Sequence, residues 1–127
     1  MIKWFEKNWR LSVGILIFGF VLIFYISSLE FSTSSVGFGW KTIAYHFLAF
    51  FVLELFLLIC LVRGKRKQNF VFALLIGILY SLSDELHQFL VPGRACSLGD
   101  VFVDTLGIFC AGIFYLASRP EGFQAKV

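Results

Sequence analysis

The sequence concentrates its chemically active side chains near the end of one long apolar segment. The run from Ser83 to Gln88 has the order Ser-Asp-Glu-Leu-His-Gln. On a helix, residues three or four positions apart share a face, so Asp84, His87 and Gln88 form one polar stripe. A carboxylate that orients an imidazole is a pairing used in general-base or nucleophilic catalysis. The stripe therefore predicts either a catalytic pair of Asp84 and His87 or a set of hydrogen-bonding groups for a ligand.

More polar groups lie before and after this stripe. Arg94 follows a Pro-Gly pair, and Asp100 and Asp104 lie one turn apart at the start of the next apolar segment. His46 lies in an earlier apolar segment, with Glu54 two turns further along as a floor to the predicted cleft. An arginine offers forked donors to phosphate or carboxylate, and acids accept hydrogen bonds from sugar hydroxyls. The candidate catalytic residues are thus His46, Asp84 and His87, and the candidate ligand-binding residues are Glu85, Gln88, Arg94, Asp100 and Asp104.

The composition places these residues in a membrane protein. Of the 127 residues, 59% are hydrophobic and 15% are charged, whereas soluble domains carry about 25% charged residues. A soluble globular domain is therefore excluded, and 19% aromatic residues argue against disorder and nucleic-acid binding. The three cysteines lack CxxC spacing, so they predict neither a disulfide framework nor a zinc site. No metal or other cofactor is predicted, since the histidines and acids do not follow a recognised ligand spacing.

Four apolar segments are long enough to cross a bilayer, which takes about 20 residues per helix. The first is longer than the apolar part of a signal peptide, which favours a retained helix. We predict an all-α, polytopic membrane protein: one domain over residues 1–127, with a small bundle of four helices at about 11–29, 43–62, 70–91 and 100–118.

The positions of the basic residues predict the orientation of the bundle. If the N-terminus is cytoplasmic, four spans return the C-terminus to the cytoplasm, and only Lys41 and Arg94 of the eleven Lys and Arg lie outside. The polar groups of the later helices then gather in the outer leaflet. An unpaired ionised group there costs several kcal/mol, so these groups should face one another or a water-filled cleft.

Two local patterns also have purely structural interpretations. Ser97-x-x-Asp100 matches a capping box, so Asp100 could serve only the start of the fourth helix. Ser81-x-x-Asp84 matches the same pattern, which predicts that the third span breaks and restarts as a short helix lining the cavity. Glu85 points away from the Asp84 stripe, toward either headgroup water or the site.

Other residues have alternatives of the same kind. Arg94 could contact lipid headgroups, and His46 could bond a neighbouring carbonyl. Gly107 and Ala111 form a small-xxx-small step after Asp104, which favours close approach of the fourth helix to a neighbour.

A long pattern of residues runs from the third span into the fourth. It comprises the runs 83–89 and 91–94 together with Ser97, Asp100 and Gly107. This pattern resembles the signature of the VanZ-like family of small bacterial multi-spanning membrane proteins. The resemblance implies a bacterial plasma-membrane location and an envelope role related to glycopeptide (teicoplanin) resistance, without implying a known reaction.

The resemblance extends weakly into the first half of the chain. Ser27 and Ser28 match a polar end of the first helix, and Lys41 to His46 match the opening of the second. Family members usually have Asn at the position of Asp104, so this chain carries an additional carboxylate in the cleft.

Three functions remain open from the sequence. The first is an outward-facing polar cleft that binds an amphipathic envelope molecule, either a lipid-linked precursor or a lipoglycopeptide. The alternative is a membrane-embedded hydrolase or transferase for a lipid phosphate or ester, with His87 as base or nucleophile, His46 as acid and Arg94 stabilising charge. The third is proton-coupled transport through Glu54. The expected partners are the lipid bilayer and the amphipathic molecule, with a homo-oligomer as an open alternative.

Overall fold

The helices have the predicted number of membrane spans and nearly the predicted bounds. A computed structural model of the chain describes residues 1–29, 39–63, 66, 68–94 and 97–118. Those residues contain no strand, and four of their helices are long and apolar enough to cross a membrane. The all-α fold is therefore confirmed. The elements are α1 (Ile2–Lys7), α2 (Trp9–Ser27), α3 (Trp40–Leu61), α4 (Asn69–Phe89) and α5 (Leu98–Ala117).

The short helix α1 is an element that the sequence analysis did not predict. Asn8 separates it from α2, and the Asn8 side chain donates a hydrogen bond to the Trp4 carbonyl at 3.0 Å. Ser12 of α2 donates to the Phe5 carbonyl at 2.8 Å, which fixes the bend. Ile2 is buried in the core at this end of the bundle. The helix thus folds against the bundle instead of extending α2.

The closest helix contact in the bundle joins α3 and α5. A Cβ atom added at Gly107 would lie 2.5 Å from the carbonyl oxygen of Phe47 and 3.2 Å from the amide nitrogen of Phe51. Only a glycine lets the two backbones approach this closely. Ala111 is fully buried one turn later, so the predicted small-residue step is the contact surface of α5.

The predicted break in the third span is wrong. Helix α4 runs without interruption from Asn69 to Phe89. The Ser81 hydroxyl donates to the Oδ2 atom of Asp104 on α5, 2.7 Å away, instead of capping a new helix. The Ser81 hydroxyl thus bonds to a residue of another helix instead of to a backbone N–H group of its own helix, as a capping box would require.

The capping box predicted at Ser97 and Asp100 correctly locates the start of α5, but the predicted side-chain hydrogen bond does not form. Ser97 is the N-cap residue of α5, with an extended backbone, but its side chain makes no capping hydrogen bond. Its backbone N–H donates to Oε1 of Glu85 instead. Asp100 lies in the first turn of α5, where a carboxylate suits the positive end of the helix.

The four spanning helices share one arrangement of ends. At one end of the bundle, which we call the polar end, α2 and α4 finish and α3 and α5 begin. The opposite end carries α1 together with Trp4 and Trp9, and the Arg63 guanidinium lies 4.8 Å from the centre of the Trp9 ring. This separation of a basic, aromatic end from an end with buried acids agrees with the predicted orientation, which stays a prediction.

Replacing Gly107 should test the α3–α5 contact. We expect Gly107→Ala to destabilise the fold by about 1–3 kcal/mol, because overpacking forces the two backbones apart. Gly14→Ala is the matched control, since a Cβ there meets nothing within 4 Å and alanine favours a helix by about 1 kcal/mol over glycine. Thermal unfolding followed by circular dichroism in detergent measures both variants. Equal midpoints for the two would contradict the close contact.

Candidate functional site

The polar end is held together first by a contact between α2 and α4. The Ser27 hydroxyl donates to Oδ1 of Asp84 at 2.6 Å, and the Gln88 amide donates to Oδ2 of the same carboxylate at 2.9 Å. All three side chains are buried. Both oxygens of the acid are therefore engaged in an environment where an unpaired carboxylate would be costly.

His87 also pairs with α2. Its Nε2 atom lies 2.9 Å from the Ser28 hydroxyl oxygen, and its ring stacks on Phe24 with a centroid distance of 4.5 Å. The predicted pairing of His87 with Asp84 on the same helix does not form. The reason is that α2 supplies a hydroxyl to each residue, so both side chains point across to α2.

A second polar contact joins three helices at greater depth. The Nδ1 atom of His46 on α3 lies 2.9 Å from Oδ1 of Asp104 on α5, and Ser81 of α4 binds the other carboxylate oxygen. His46 is 2% exposed and Asp104 1%. Asp104 thus accepts with both carboxylate oxygens, which an amide with its single acceptor oxygen cannot do.

Several polar groups at this end are buried without a hydrogen bond. The hydroxyl of Tyr45 and the Oδ1 atom of Asp100 make none with the residues that the structure describes. Asp100 is 6% exposed, and Glu85 is 3% exposed beside the start of α5. Tyr45 and Asp100 therefore keep hydrogen-bonding capacity that a ligand group can use.

Arg94 binds the end of α2. Its Nη2 atom donates to the Ile26 carbonyl at 2.5 Å, and its Nε atom donates to the Leu29 carbonyl at 3.2 Å. A positive side chain is favourable at the negative end of a helix. The sequence could not show this contact, because it joins groups 65 and 68 residues apart.

Glu54 lies deeper in the bundle and makes no such contact. It is fully buried, and neither carboxyl oxygen has a hydrogen-bond partner among the described residues. A Cβ atom at Gly77 of α4 would contact its carboxyl group directly. The glycine therefore provides the space that the Glu54 carboxyl group fills.

All eight predicted site residues lie at the polar end of the bundle, and we call them the polar cluster. The predicted pair of Asp84 and His87 does not form within it. The described residues contain no group of three or more His, Cys, Asp and Glu arranged to hold a metal ion. Four further polar residues lie at this end that were not predicted as site residues. Their positions at polar helix ends or next to His46 are the sequence signals that point to them. These residues are Ser27, Ser28, Tyr45 and Ser81.

These features define a class of protein: a four-helix polytopic membrane protein with a buried polar cluster at one end. Comparison with known families identifies the family of this membrane protein. The VanZ/LLP1 family model matches residues 10–119, so the chain belongs to the VanZ/LLP1 family. The sequence resemblance is thereby confirmed. No curated protein and no solved structure matches the chain.

The contact between Gly77 and Glu54 should appear as coupling between two substitutions. We expect Gly77→Ala to destabilise the protein by about 1–3 kcal/mol, because the new methyl group overlaps the buried carboxyl group. In a Glu54→Ala background the same change should cost clearly less, since the overlapping atoms are gone. Thermal unfolding of the four proteins in detergent measures the coupling. Additive shifts would show that the carboxyl group does not fill this space.

Asp84 should be the main attachment point of α2. We expect Asp84→Ala to destabilise the fold by about 3 kcal/mol or more, because it removes the acceptor of the buried Ser27 hydroxyl and the nearer acceptor of the Gln88 amide. Ser83→Ala is the control, since Ser83 is the exposed neighbour on the same helix. Both are measured by thermal unfolding, and a similar stability for the two variants would argue against the attachment.

Proposed function

We propose that the polar end binds the head of an amphipathic envelope molecule, either a lipid-linked cell-wall precursor or a lipoglycopeptide. The observation that carries the proposal is a pair of buried polar atoms, the hydroxyl oxygen of Tyr45 and Oδ1 of Asp100, that have no hydrogen-bond partner in the described structure. Such groups are uncommon in native proteins, because each one loses its hydrogen bonds to water. A bound head group would restore them.

The charges around these groups favour a particular head chemistry. Among the described residues, four buried carboxyl groups lie at the polar end, and Arg94 contacts this end through the last carbonyls of α2. Carboxylates accept hydrogen bonds and repel anions. The site is therefore better suited to sugar hydroxyl or amino groups than to a bare phosphate. The four carboxyl groups belong to Asp84, Glu85, Asp100 and Asp104.

The cellular role follows from the family and the predicted orientation. With both termini in the cytoplasm, the polar end faces the outer leaflet of the plasma membrane, where cell-wall precursors and glycopeptides meet. A protein that holds either molecule there would lower susceptibility to teicoplanin without any chemical reaction. Arg94 contributes by fixing the end of α2 over the site and by adding positive charge beside it.

One observation favours the enzymatic alternative. The Ser28 hydroxyl and the His87 imidazole are within hydrogen-bond distance, as a serine nucleophile and its base would be. However, the same hydroxyl donates to the Phe24 carbonyl at 2.7 Å, and a hydroxyl has a single hydrogen to donate. His87 is then the donor, which is the reverse of base catalysis. Covalent labelling of Ser28 by a fluorophosphonate probe, lost in His87→Gln, would restore this alternative.

Binding measurements on two variants test the proposed head site. We expect Asp100→Ala to weaken binding of teicoplanin or of a lipid-linked precursor by about ten- to a hundredfold, since a hydrogen bond to a charged group contributes about 1.5–3 kcal/mol. Tyr45→Phe should weaken it by up to about tenfold, as for a neutral hydrogen bond. Native mass spectrometry with each probe added to purified protein gives the affinities.

Ser83→Ala, at the same end but exposed, is the control and should bind as the wild type does. Unchanged affinity in both site variants, with unfolding temperatures also unchanged, would refute the head site. If the wild type binds neither probe, the polar cluster is a purely structural network.

A further inference from the structure

A groove runs between α2 and α3 on the side of the bundle that faces the membrane. Its volume is about 480 Å³, within the range of about 300–1,000 Å³ that is usual for small-molecule sites. The lining residues come from both helices, between Ile15 and Ile26 on α2 and between Tyr45 and Phe56 on α3. Tyr45 is the one residue among them with a polar side chain. The groove is therefore apolar along its length and polar at one end.

Among the described residues, the side-chain hydrogen bonds of α2 with other spanning helices run to α4, although its most extensive packing is against α3. Three contacts hold α2 to α4 and to the segment after it: Ser27 with Asp84, Ser28 with His87, and the hydrogen bonds from Arg94. Tyr80 of α4 adds a fourth, because its hydroxyl donates to the Phe20 carbonyl at 2.7 Å. Toward α3 the described part of α2 makes apolar contacts, and the groove opens along this contact, with Gly19 among its lining residues.

The dimensions of the groove match one leaflet of a bilayer. Its α2 wall spans eleven residue steps, from Ile15 to Ile26, which is about 16 Å at 1.5 Å per residue. Half of a hydrocarbon core of about 30 Å is about 15 Å. The groove thus reaches from the polar end to about the middle of the membrane, the depth reached by a lipid chain anchored in that leaflet.

The end of the groove nearest the polar cluster is marked by Tyr45. Because α2 and α3 run antiparallel, Ile26 and Tyr45 lie at this end, next to His46. The Tyr45 hydroxyl is buried and makes no hydrogen bond with the described residues. The ring of Tyr45 therefore offers an apolar surface to a hydrocarbon chain. Its hydroxyl group offers a hydrogen bond to the atom that links such a chain to its head group.

We propose that this groove holds the hydrocarbon chain of the amphipathic molecule, with Tyr45 bonding the linkage between chain and head. The inference rests on the proposed head site and adds that the chain lies against α2 and α3 instead of in bulk lipid. In a bilayer an apolar groove of this size does not hold water, because its walls offer no hydrogen bonds. Gly19 lines the groove at a point where α2 and α3 approach closely, since a Cβ there would come within 3.3 Å of the Leu53 side chain.

Photolabelling tests the occupant directly. The probe is a single-chain alkyl glycoside with a diazirine in the middle of its chain, added to the protein in lipid nanodiscs and mapped by peptide mass spectrometry. We expect labelling to concentrate on groove residues such as Leu22 and Val52. Apolar residues outside the groove that are more exposed, such as Leu79 and Ile113, should be labelled several-fold less. Labelling spread evenly over all four helices would overturn the proposal.

Gly19→Leu supplies the matched test, because its side chain would fill the groove. We expect it to reduce groove labelling several-fold, while Gly14→Leu, where a Cβ meets nothing within 4 Å, leaves labelling unchanged. Both variants must keep the unfolding temperature of the wild type. If Gly19→Leu destabilises the protein, Ala49→Leu fills the same groove from α3. Undiminished labelling in a folded, filled variant would refute the chain site.

A second probe separates this proposal from the head site. An alkyl diazirine without a sugar head should still label the groove if the groove binds chains, and Asp100→Ala should leave that labelling unchanged. If both probes label the groove and Asp100→Ala changes neither labelling, the head site is refuted and the chain site is not. Crosslinks between two copies of the chain at these residues would show that a second copy occupies the groove and would refute the proposal.

Discussion

The carboxylate of Asp104 is the contact on which the arrangement of the bundle depends. It is bound on one side by His46 of α3 and on the other by Ser81 of α4. Polar groups inside a membrane must find partners within the protein, because lipid offers none. Satisfying this one acid therefore fixes the relative height of three helices. One turn further along α5, Gly107 lets α3 and α5 approach to backbone contact, so the polar and steric constraints require the same register.

The helix α2 is held in a different way. Its attachments are hydrogen bonds at its polar end and near its middle, through Ser27, Ser28 and the Phe20 carbonyl. Arg94 adds a charge-assisted bond to its last carbonyls. Toward α3, where its packing is most extensive, α2 makes apolar contacts, and a groove lies between the two helices. This groove runs from the polar end, at Ile26 and Tyr45, to about the middle of the two helices.

Hydrogen bonding divides the buried acids discussed above into two kinds. Asp84 and Asp104 are saturated by donors from neighbouring helices and have little capacity left for a ligand. Asp100 lies in the first turn of α5 with one oxygen that makes no hydrogen bond to the described residues. Glu54 is isolated in the apolar interior. The second kind of acid keeps oxygen atoms without a hydrogen bond to the described residues, whereas the first kind joins neighbouring helices.

Much of the fold was accessible from the sequence because it depends on local properties. The length and apolar character of each segment determined the four spans, and the observed bounds differ by at most three residues from those predicted. Helical spacing also identified the small-residue face of α5 at Gly107 and Ala111. The family followed from a run of adjacent residues. Each of these signals lies within one segment of the chain, where a periodic pattern is sufficient evidence.

The partners of the polar residues were decided by tertiary structure. Asp84 and His87 lie at the spacing of a catalytic pair, yet each binds a serine of α2 that is 57 or 59 residues away in sequence. Ser81 has the spacing of a helix cap and instead serves Asp104. Sequence by itself determined which residues are polar and near which end of each span they lie. Only the packing of helices decided which donor reaches which acceptor, because several partners of similar chemistry compete and distance selects among them.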